Sequence, residues 1–119
     1  MMVMKMTIPM TYLTFLQQFS SNSDNVIYIN GVCFTGSTGN VWFEFDNSFA
    51  YVTIEKEPIA DVKHENIETI KIVQMPLNED IEIDESDYEN FPSFEIFKDE
   101  NGEWDNKLTK GDEKYQYIY

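Results

Sequence analysis

The stretch VIYINGVCF, residues 26–34, sets two runs of β-branched and aromatic residues on either side of Asn30-Gly31. Asn and Gly both tolerate positive φ angles, so this pair between two such runs is the strongest short-range signal for a β-hairpin. Similar runs follow at residues 41–45 and 49–55, and turn-forming residues precede each of them. The sequence therefore predicts a meander of four antiparallel strands.

The last of these strands also shows which side chains share a face. Successive side chains on a strand point to opposite sides of the sheet, so alternate residues line one face. This alternation places Phe49, Tyr51, Thr53 and Glu55 on one face and Ala50, Val52 and Ile54 on the other.

An amphipathic helix is predicted before the first strand. Tyr12, Phe15, Leu16 and Phe19 stand at positions i, i+3, i+4 and i+7, which places them on one stripe of a helix. The polar residues 20–25 end it. Residues 1–16 have an apolar run but no small-residue cleavage site after it, so a cytoplasmic protein without a signal peptide is expected.

The second half of the chain is less regular. Residues 58–66 lose the alternation and indicate a loop or a short helical turn. Residues 67–75 favour another strand, although a helix stays open there. Asp99 to Gly102 lie between two aromatic runs and predict a hairpin, and residues 115–119 predict a terminal strand.

Taken together, these segments predict a single acidic α+β domain over residues 1–119. An N-terminal helix packs on a mainly antiparallel sheet of about five to seven strands with hairpin or meander connections. A parallel sheet would require strands that alternate with helices, and this sequence does not show that alternation.

The net charge of the chain argues against several classes of function. The chain has 22 acidic residues against eight lysines and no arginine, and its net charge is −14. Nucleic-acid binding depends on Lys and Arg to neutralise phosphates, so direct binding to nucleic acid is excluded. An anionic membrane surface is disfavoured for the same reason. A basic protein surface is the expected partner.

The negative charge is concentrated in the second half. Residues 1–56 carry four acids and two lysines, a net of −2, whereas residues 57–119 carry 18 acids and six lysines, a net of −12. The densest part is predicted to be the partner-binding site, with an aromatic anchor among its carboxylates. It comprises Glu79, Asp80, Glu82, Asp84, Glu85, Asp87, Tyr88 and Glu89.

Two interpretations of this acidic segment stay open. Ile81 and Ile83 alternate with Glu82 and Asp84, so a strand would bury the isoleucines and present a line of carboxylates that imitates a phosphate backbone. The alternative is a solvated or mobile acidic loop over residues 78–91.

Aromatic residues lie among the acids of the second half. A ring with carboxylates beside it suits an Arg guanidinium, which can stack on the ring while its N–H groups bind the acid. Burial in the core is the favoured interpretation for Phe94, Phe97 and Trp104. For Tyr88 and Tyr119 both interpretations stay open.

Metal and catalytic sites are not predicted. Asp99, Asn101, Glu103 and Asp105 recur at every second position, but the segment lacks the Gly at position six and the Glu at position twelve of a helix–loop–helix calcium site. Zinc needs three or four N or S ligands, and Cys33 and His64 are the only Cys and His in the chain. Cys33 is expected in a buried strand and His64 in a solvated loop. We therefore expect no metal, no cofactor and no enzymatic activity.

In size, charge and aromatic content the chain resembles the small acidic proteins with which phages and mobile elements disarm host defence enzymes. Its Asn-, Ile-, Lys- and Tyr-rich composition is typical of an AT-rich genome. This resemblance implies an inhibitor that blocks the basic nucleic-acid groove of a nuclease, as DNA mimics with anti-CRISPR or anti-restriction activity do. The alternative is a phage or plasmid assembly protein that oligomerises through the strand edge at residues 115–119. The oligomeric state is open, and a homodimer is one option.

Overall fold

The computed structural model describes residues 8–21, 24–34, 41–54, 57–75 and 85–111, and the side chains of Asp24, Glu85 and Asp87 are outside this description. The described residues form one α-helix, eight strands and two short 3-10 helices. In chain order these are α1 (Met10–Ser21), β1 (Asp24–Ile29), β2 (Val32–Phe34), β3 (Val41–Phe45), β4 (Phe49–Ile54), β5 (Glu57–Lys63), the first 3-10 helix (His64–Asn66), β6 (Thr69–Met75), the second 3-10 helix (Glu85–Asn90), β7 (Ser93–Lys98) and β8 (Trp104–Thr109).

The strands belong to two antiparallel sheets. One sheet has five strands in the order β2-β1-β6-β7-β8, and the other has three in the order β3-β4-β5. An α+β fold with an N-terminal helix on antiparallel strands is thus confirmed, with slightly more strands than expected. The predicted four-strand meander is wrong at one connection, because β2 and β3 do not pair. The free edge of β1 is taken by β6, in a register that sets Ile27 opposite Ile72.

Helix α1 packs against strands of both sheets, on β3 from one and on β6 and β7 from the other. The apolar cluster at this junction contains residues of the helix and of both sheets. It includes Leu13 and Leu16 of the helix, Ile27, Ile70, Ile72 and Phe94 of the five-stranded sheet, and Phe43, Ala50 and Val52 of the three-stranded sheet. The buried face of each sheet is therefore turned toward the helix.

The predicted helix exists, and its buried stripe is confirmed at Leu16 and Phe19 but not at Tyr12 and Phe15. Leu13 and Leu16 are fully buried, whereas Tyr12 is half-buried and Phe15 is 41% exposed. Phe15 still contacts the five-stranded sheet, with its ring centroid 4.6 Å from that of Phe94. The ring of Phe19 therefore lies in the core, whereas the rings of Tyr12 and Phe15 lie at its margin.

Buried polar side chains join the end of α1 to both sheets. Asn25 of β1 donates its Nδ2 to the carbonyl oxygens of Ser20, at 2.6 Å, and of Val41 in β3, at 3.0 Å. The Ser20 hydroxyl accepts the backbone N–H of Phe43 at 3.1 Å. Gln74 of β6 donates its Nε2 to the carbonyl of Phe19 at 3.1 Å. These bonds fix the position of β3 relative to β1 and the helix.

The segment expected to be a loop or helical turn is mostly a strand. Glu57–Lys63 forms β5, and only His64–Asn66 is helical. β5 is an edge strand, where proline is tolerated because its missing N–H can face solvent. The register also shifts between Val52 and Thr53 of β4, which leaves one extra residue in β5. Proline and this bulge interrupted the alternation that would have marked the strand.

Other local predictions are confirmed by the backbone. Asn30 and Gly31 have φ angles of 51° and 79°, as the β1–β2 hairpin requires. Residues 69–75 form strand β6 rather than a helix, and β7 and β8 form the predicted hairpin. Cys33 was expected to be buried and is exposed, because β2 is a short edge strand. The predicted strand at 115–119 lies outside the described residues.

Candidate protein-binding face

The second face of the three-stranded sheet carries a row of acid, aromatic ring and acid. Tyr51 of β4 lies directly opposite Glu44 of β3 on one side and Asp61 of β5 on the other. Directly opposite residues of antiparallel strands have Cβ atoms about 5 Å apart. Their neighbours along the strands, Phe43 and Val52, are buried in the core, so the row faces away from it. Two carboxylates therefore flank one phenol ring on a fixed sheet surface.

Asp46, in the turn between β3 and β4, holds the ring in place. Its Oδ1 accepts the backbone N–H groups of Ser48 at 2.7 Å and Phe49 at 2.8 Å. Its Oδ2 accepts the hydroxyl of Tyr51 at 2.6 Å. A turn residue thus uses one carboxylate oxygen to close the turn and the other to orient the aromatic side chain.

These contacts set the charge state of the pair. The Tyr51 hydroxyl, followed by the N–H groups of Ser48 and Phe49, lowers the pKa of Asp46 below its ordinary value, because all three favour the carboxylate. The hydrogen bond to Asp46 and the negative charges of Asp46 and Asp61 raise the pKa of Tyr51. At neutral pH the face therefore combines an ionised carboxylate with a neutral phenol.

Further exposed apolar surface lies beside this row. Trp42 is two residues before Glu44 on the same face of β3 and is 37% exposed. Phe49 is half-buried, with its ring centroid 6.0 Å from that of Tyr51. Lys63 lies opposite Phe49 and brings one positive charge to the end of the face. We call Trp42, Glu44, Asp46, Tyr51 and Asp61 the acidic–aromatic face.

Much of the site predicted from the sequence lies elsewhere or outside the description. Glu79, Asp80, Glu82 and Asp84 are outside the described residues, and so is the expected strand around Ile81 and Ile83. Glu85 and Asp87 lie in the second 3-10 helix, which also carries the exposed Glu89 and the half-buried Tyr88. This segment and the acidic–aromatic face belong to different parts of the fold.

Tyr88 and the later aromatic residues have structural contacts. Tyr88 packs on a small cluster formed by Val26, Val73 and Phe91 on the second face of the five-stranded sheet. Phe94 and Trp104 are buried, as expected, and Phe97 is half-buried. The partial burial of Tyr88 gives it a role in covering the sheet. Tyr119 is outside the described residues.

The carboxylate of Asp99 stabilises the β7–β8 turn. Oδ1 of Asp99 accepts the backbone N–H groups of Asn101 at 2.8 Å and Glu103 at 3.0 Å. In the part of the chain that the structure describes, no group of three or more His, Cys, Asp or Glu side chains is placed to hold a metal ion. Asp99 is therefore a turn residue in the structure, and Asp105 lies in strand β8.

The two residues with potential nucleophile chemistry lie in different sheets. Cys33 is on β2 of the five-stranded sheet, and His64 directly follows β5 of the three-stranded sheet. His64 was expected to be solvated, but it is half-buried and its Nε2 is buried without a hydrogen-bond partner. Its backbone N–H donates to the carbonyl of Ser48 at 3.0 Å, which ties this residue to the β3–β4 turn.

Sequence reasoning missed Glu44, Asp46 and Asp61 as site residues. The alternation in VWFEF, residues 41–45, already places Trp42 and Glu44 on one face. Asp61 lies in residues 58–66, where the sequence predicts a loop or a short helical turn, so no pattern adds it to this face. A search for weak alternation around a proline would have found it.

Comparisons with known proteins do not assign a function, so the functional argument rests on the surface of the structure. No protein-family model, curated protein or solved structure matches the chain. Among the described residues, no helix has the length and apolar character needed to cross a membrane.

Proposed function

We propose that this chain is an acidic protein-binding inhibitor that occupies the basic nucleic-acid-binding groove of a nuclease. In this proposal it is encoded by a phage or mobile element and acts on a host defence nuclease in the host cytoplasm. The acidic–aromatic face is the observation that carries the proposal, because it sets carboxylates and exposed rings side by side on a rigid sheet.

The chemistry of this face suits arginine and lysine. A guanidinium can stack on the ring of Tyr51 or Trp42, and its N–H groups can then reach the neighbouring carboxylates of Glu44 or Asp61. Trp and Tyr are enriched among the residues that contribute most to binding at protein interfaces. A sheet surface also loses little conformational freedom when a partner docks, which favours affinity.

The net charge of −14 supports the same partner class. A strongly negative field attracts a basic groove and accelerates association, and salt screens this effect. The same field repels nucleic acid, so the chain would compete with DNA or RNA for the groove rather than bind them. The carboxylates between Glu79 and Glu89 stay a predicted second contact with that groove.

A cleavage assay with purified RNA-guided and restriction nucleases tests the proposal. The chain is added either before or after the substrate DNA, at low and at high salt. We expect inhibition only when the chain is added first, and a loss of affinity as salt rises. Inhibition that ignores both the order of addition and the ionic strength contradicts groove occupation.

A matched pair of variants tests whether the acidic–aromatic face makes the contact. Glu44→Gln with Asp61→Asn removes two charges from the face, and Glu100→Gln with Glu103→Gln removes two from the exposed β7–β8 turn. We expect the first pair to weaken inhibition by about tenfold or more and the second to change it little. A third variant neutralises the five acids from Glu82 to Glu89 and measures the contribution of that segment. Equal effects of the first two variants would mean that only net charge matters.

A further inference from the structure

The outer edge of the five-stranded sheet is formed by β8. Asp105, Asn106, Lys107 and Leu108 are all exposed along it. The backbone N–H of Asp99 donates to the carbonyl of Glu103 at 2.8 Å, and the carbonyl of Asp99 accepts the N–H of Gly102 at 3.0 Å, so the backbone groups of Asp99 are directed to the β8 side of β7. In an antiparallel ladder, hydrogen-bonded and non-bonded pairs alternate. The backbone groups of Asp105 and Lys107 are therefore directed to β7, and those of Asn106 and Leu108 are directed away from the sheet.

The side chains of this edge are complementary to themselves. When a second β8 is placed antiparallel to the first and centred on Asn106, Asp105 of each copy lies opposite Lys107 of the other. This register also sets Asn106 opposite Asn106 as a hydrogen-bonded pair, as the outward-directed backbone groups of Asn106 require. Opposite charges at directly opposed positions stabilise a strand pair. The two-fold axis produces the favourable pair twice.

Exposed apolar surface lies on the helix side of the same edge. Leu108 is 47% exposed and lies opposite Phe94 in the β7–β8 ladder. Phe15, which is 41% exposed, contacts the ring of Phe94 from the helix. In the register centred on Asn106, each Leu108 lies opposite Trp104 of the other copy. Pairing would therefore cover an apolar side chain that the single chain leaves in water.

We infer that two copies of this chain pair antiparallel through β8, centred on Asn106, so that two five-stranded sheets become one continuous sheet across a two-fold axis. This inference concerns the sheet that does not carry the acidic–aromatic face, and it stands independently of the proposed inhibitor function.

Asp105 changes partner when the strands pair. In the single chain its Oδ1 accepts the backbone N–H of Asn106 at 2.8 Å. In the pair this N–H donates to the carbonyl of Asn106 in the second copy, and the released carboxylate binds Lys107 of that copy. Two chains of net charge −14 also repel one another, and salt screens this repulsion. Dimerisation should thus strengthen with salt, whereas docking on a basic groove should weaken.

Sedimentation equilibrium of the full chain, over a concentration series from the micromolar to the millimolar range at low and high salt, tests the inference. We expect a monomer–dimer equilibrium with a dissociation constant that falls as salt rises. Asp105→Lys and Lys107→Asp each replace two attractive pairs by two repulsive ones, and we expect each to raise the dissociation constant about tenfold.

Variants that restore the opposite charges test the register of the pairing. The double variant Asp105→Lys with Lys107→Asp exchanges the charges, and we expect it to dimerise like the unaltered chain. An equimolar mixture of the two single variants should form mixed dimers with the same affinity. Asp105→Lys makes the net charge less negative, so an effect of net charge alone would strengthen its dimer rather than weaken it.

Three results would overturn the inference. The first is a monomer at every concentration and salt. The second is a dimer that neither single variant weakens, and the third is a weakened dimer that neither the exchange nor the mixture restores. Circular dichroism of each variant verifies that the fold is retained. The nuclease assay with Glu44→Gln and Asp61→Asn depends on the other sheet, so either proposal can fail without the other.

Discussion

The two sheets bury one face each in the same core, but their second faces carry different rows of side chains. On the five-stranded sheet the row runs Tyr28, Lys71, Glu95, Lys107, so that charges of opposite sign lie side by side. On the three-stranded sheet the row runs Glu44, Tyr51, Asp61, so that a ring separates two acids.

The two faces differ mainly in which side chains lie opposite one another on adjacent strands, and less in their amino-acid composition. In the first row each carboxylate or ammonium group has an opposite charge beside it, which neutralises the surface locally. Among the described residues, the second face holds the carboxylates of Glu44, Asp46 and Asp61 against the ammonium group of Lys63. The acidic second half thus contributes most of a charge-balanced face, whereas β3, β4 and β5 form a face with an excess of carboxylates.

The largest effect is expected from removing the hydrogen bonds of Asn25, which connect the five-stranded sheet to the helix and to β3 of the other sheet. Asn25 is 2% exposed, and Asn25→Ala leaves the carbonyls of Ser20 and Val41 without their amide donor. We expect the free energy of unfolding in urea to fall by about 2–4 kcal/mol, because each unpaired buried group costs about 1–3 kcal/mol. Asn101→Ala in the exposed turn is the control and should change it by less than about 0.5 kcal/mol. A loss below about 1 kcal/mol would show that the link contributes little.

The next largest effect is expected from the exposed tryptophan. Trp42→Ala on the acidic–aromatic face should weaken nuclease inhibition at least about thirtyfold, equivalent to about 2 kcal/mol, if Trp42 anchors the partner. Leu108→Ala removes exposed apolar surface from the other sheet and should leave inhibition unchanged. Dose–response curves in the cleavage assay measure both variants. Equal losses in the two variants would remove the distinction between the faces.

The balance of the other face can be tested by reversing one charge. Lys71→Glu sets like charges opposite one another at Glu95, and we expect it to reduce the free energy of unfolding by about 1 kcal/mol at low salt. Added salt should recover part of this loss, since screening weakens the new repulsion. Lys110→Glu, which follows the end of β8, is the control in the same urea titration. A larger loss for the control would contradict cross-strand pairing as the cause.

The smallest effect concerns the hydrogen bond between Tyr51 and Asp46. Folding lowers the pKa of Asp46 from 3.8, so the stabilisation it provides is present above that pH and is lost as the pH falls through the lower folded value. Folding raises the pKa of Tyr51 from 10.0, so its contribution is present below that pH and is lost as the pH rises through the higher folded value. Tyr51→Phe should move the pKa of Asp46 back toward 3.8, as measured by carbon-13 NMR of its carboxyl group. Tyr12→Phe is the control, and an equal shift there would rule out the direct hydrogen bond.

Local sequence signals predicted most of the elements. Asn30-Gly31 located the first hairpin, and the alternation from Phe49 to Val52 separated the core side of β4 from its outer side, although Thr53, predicted on the outer side, is buried. Ala50 and Val52 are buried, and Phe49 and Tyr51 are half-buried on the opposite face. Signals of this kind extend over only a few residues, so the backbone preference and the side-chain period can be recognised in the sequence itself.

The candidate site depended on pairings that no local signal carries. Glu44 and Asp61 meet beside Tyr51 only because β4 lies between β3 and β5. A proline and a bulge hid β5, so one of the two acids was assigned to a loop. The acidic segment 79–89 attracted the functional prediction because density of charge is visible in a sequence, whereas adjacency across strands is not.

The sequence alone determined the α+β class, the first hairpin, the strand faces and the negative charge, because these follow from composition and from the period of a helix or a strand. The tertiary structure decided that β1 pairs with β6, that the chain divides into two sheets, and that acids and rings share one face. Strand order and register result from burying apolar faces against a common helix, which is a property of the whole chain. They also determine which charged side chains lie beside an opposite charge and which carboxylates do not.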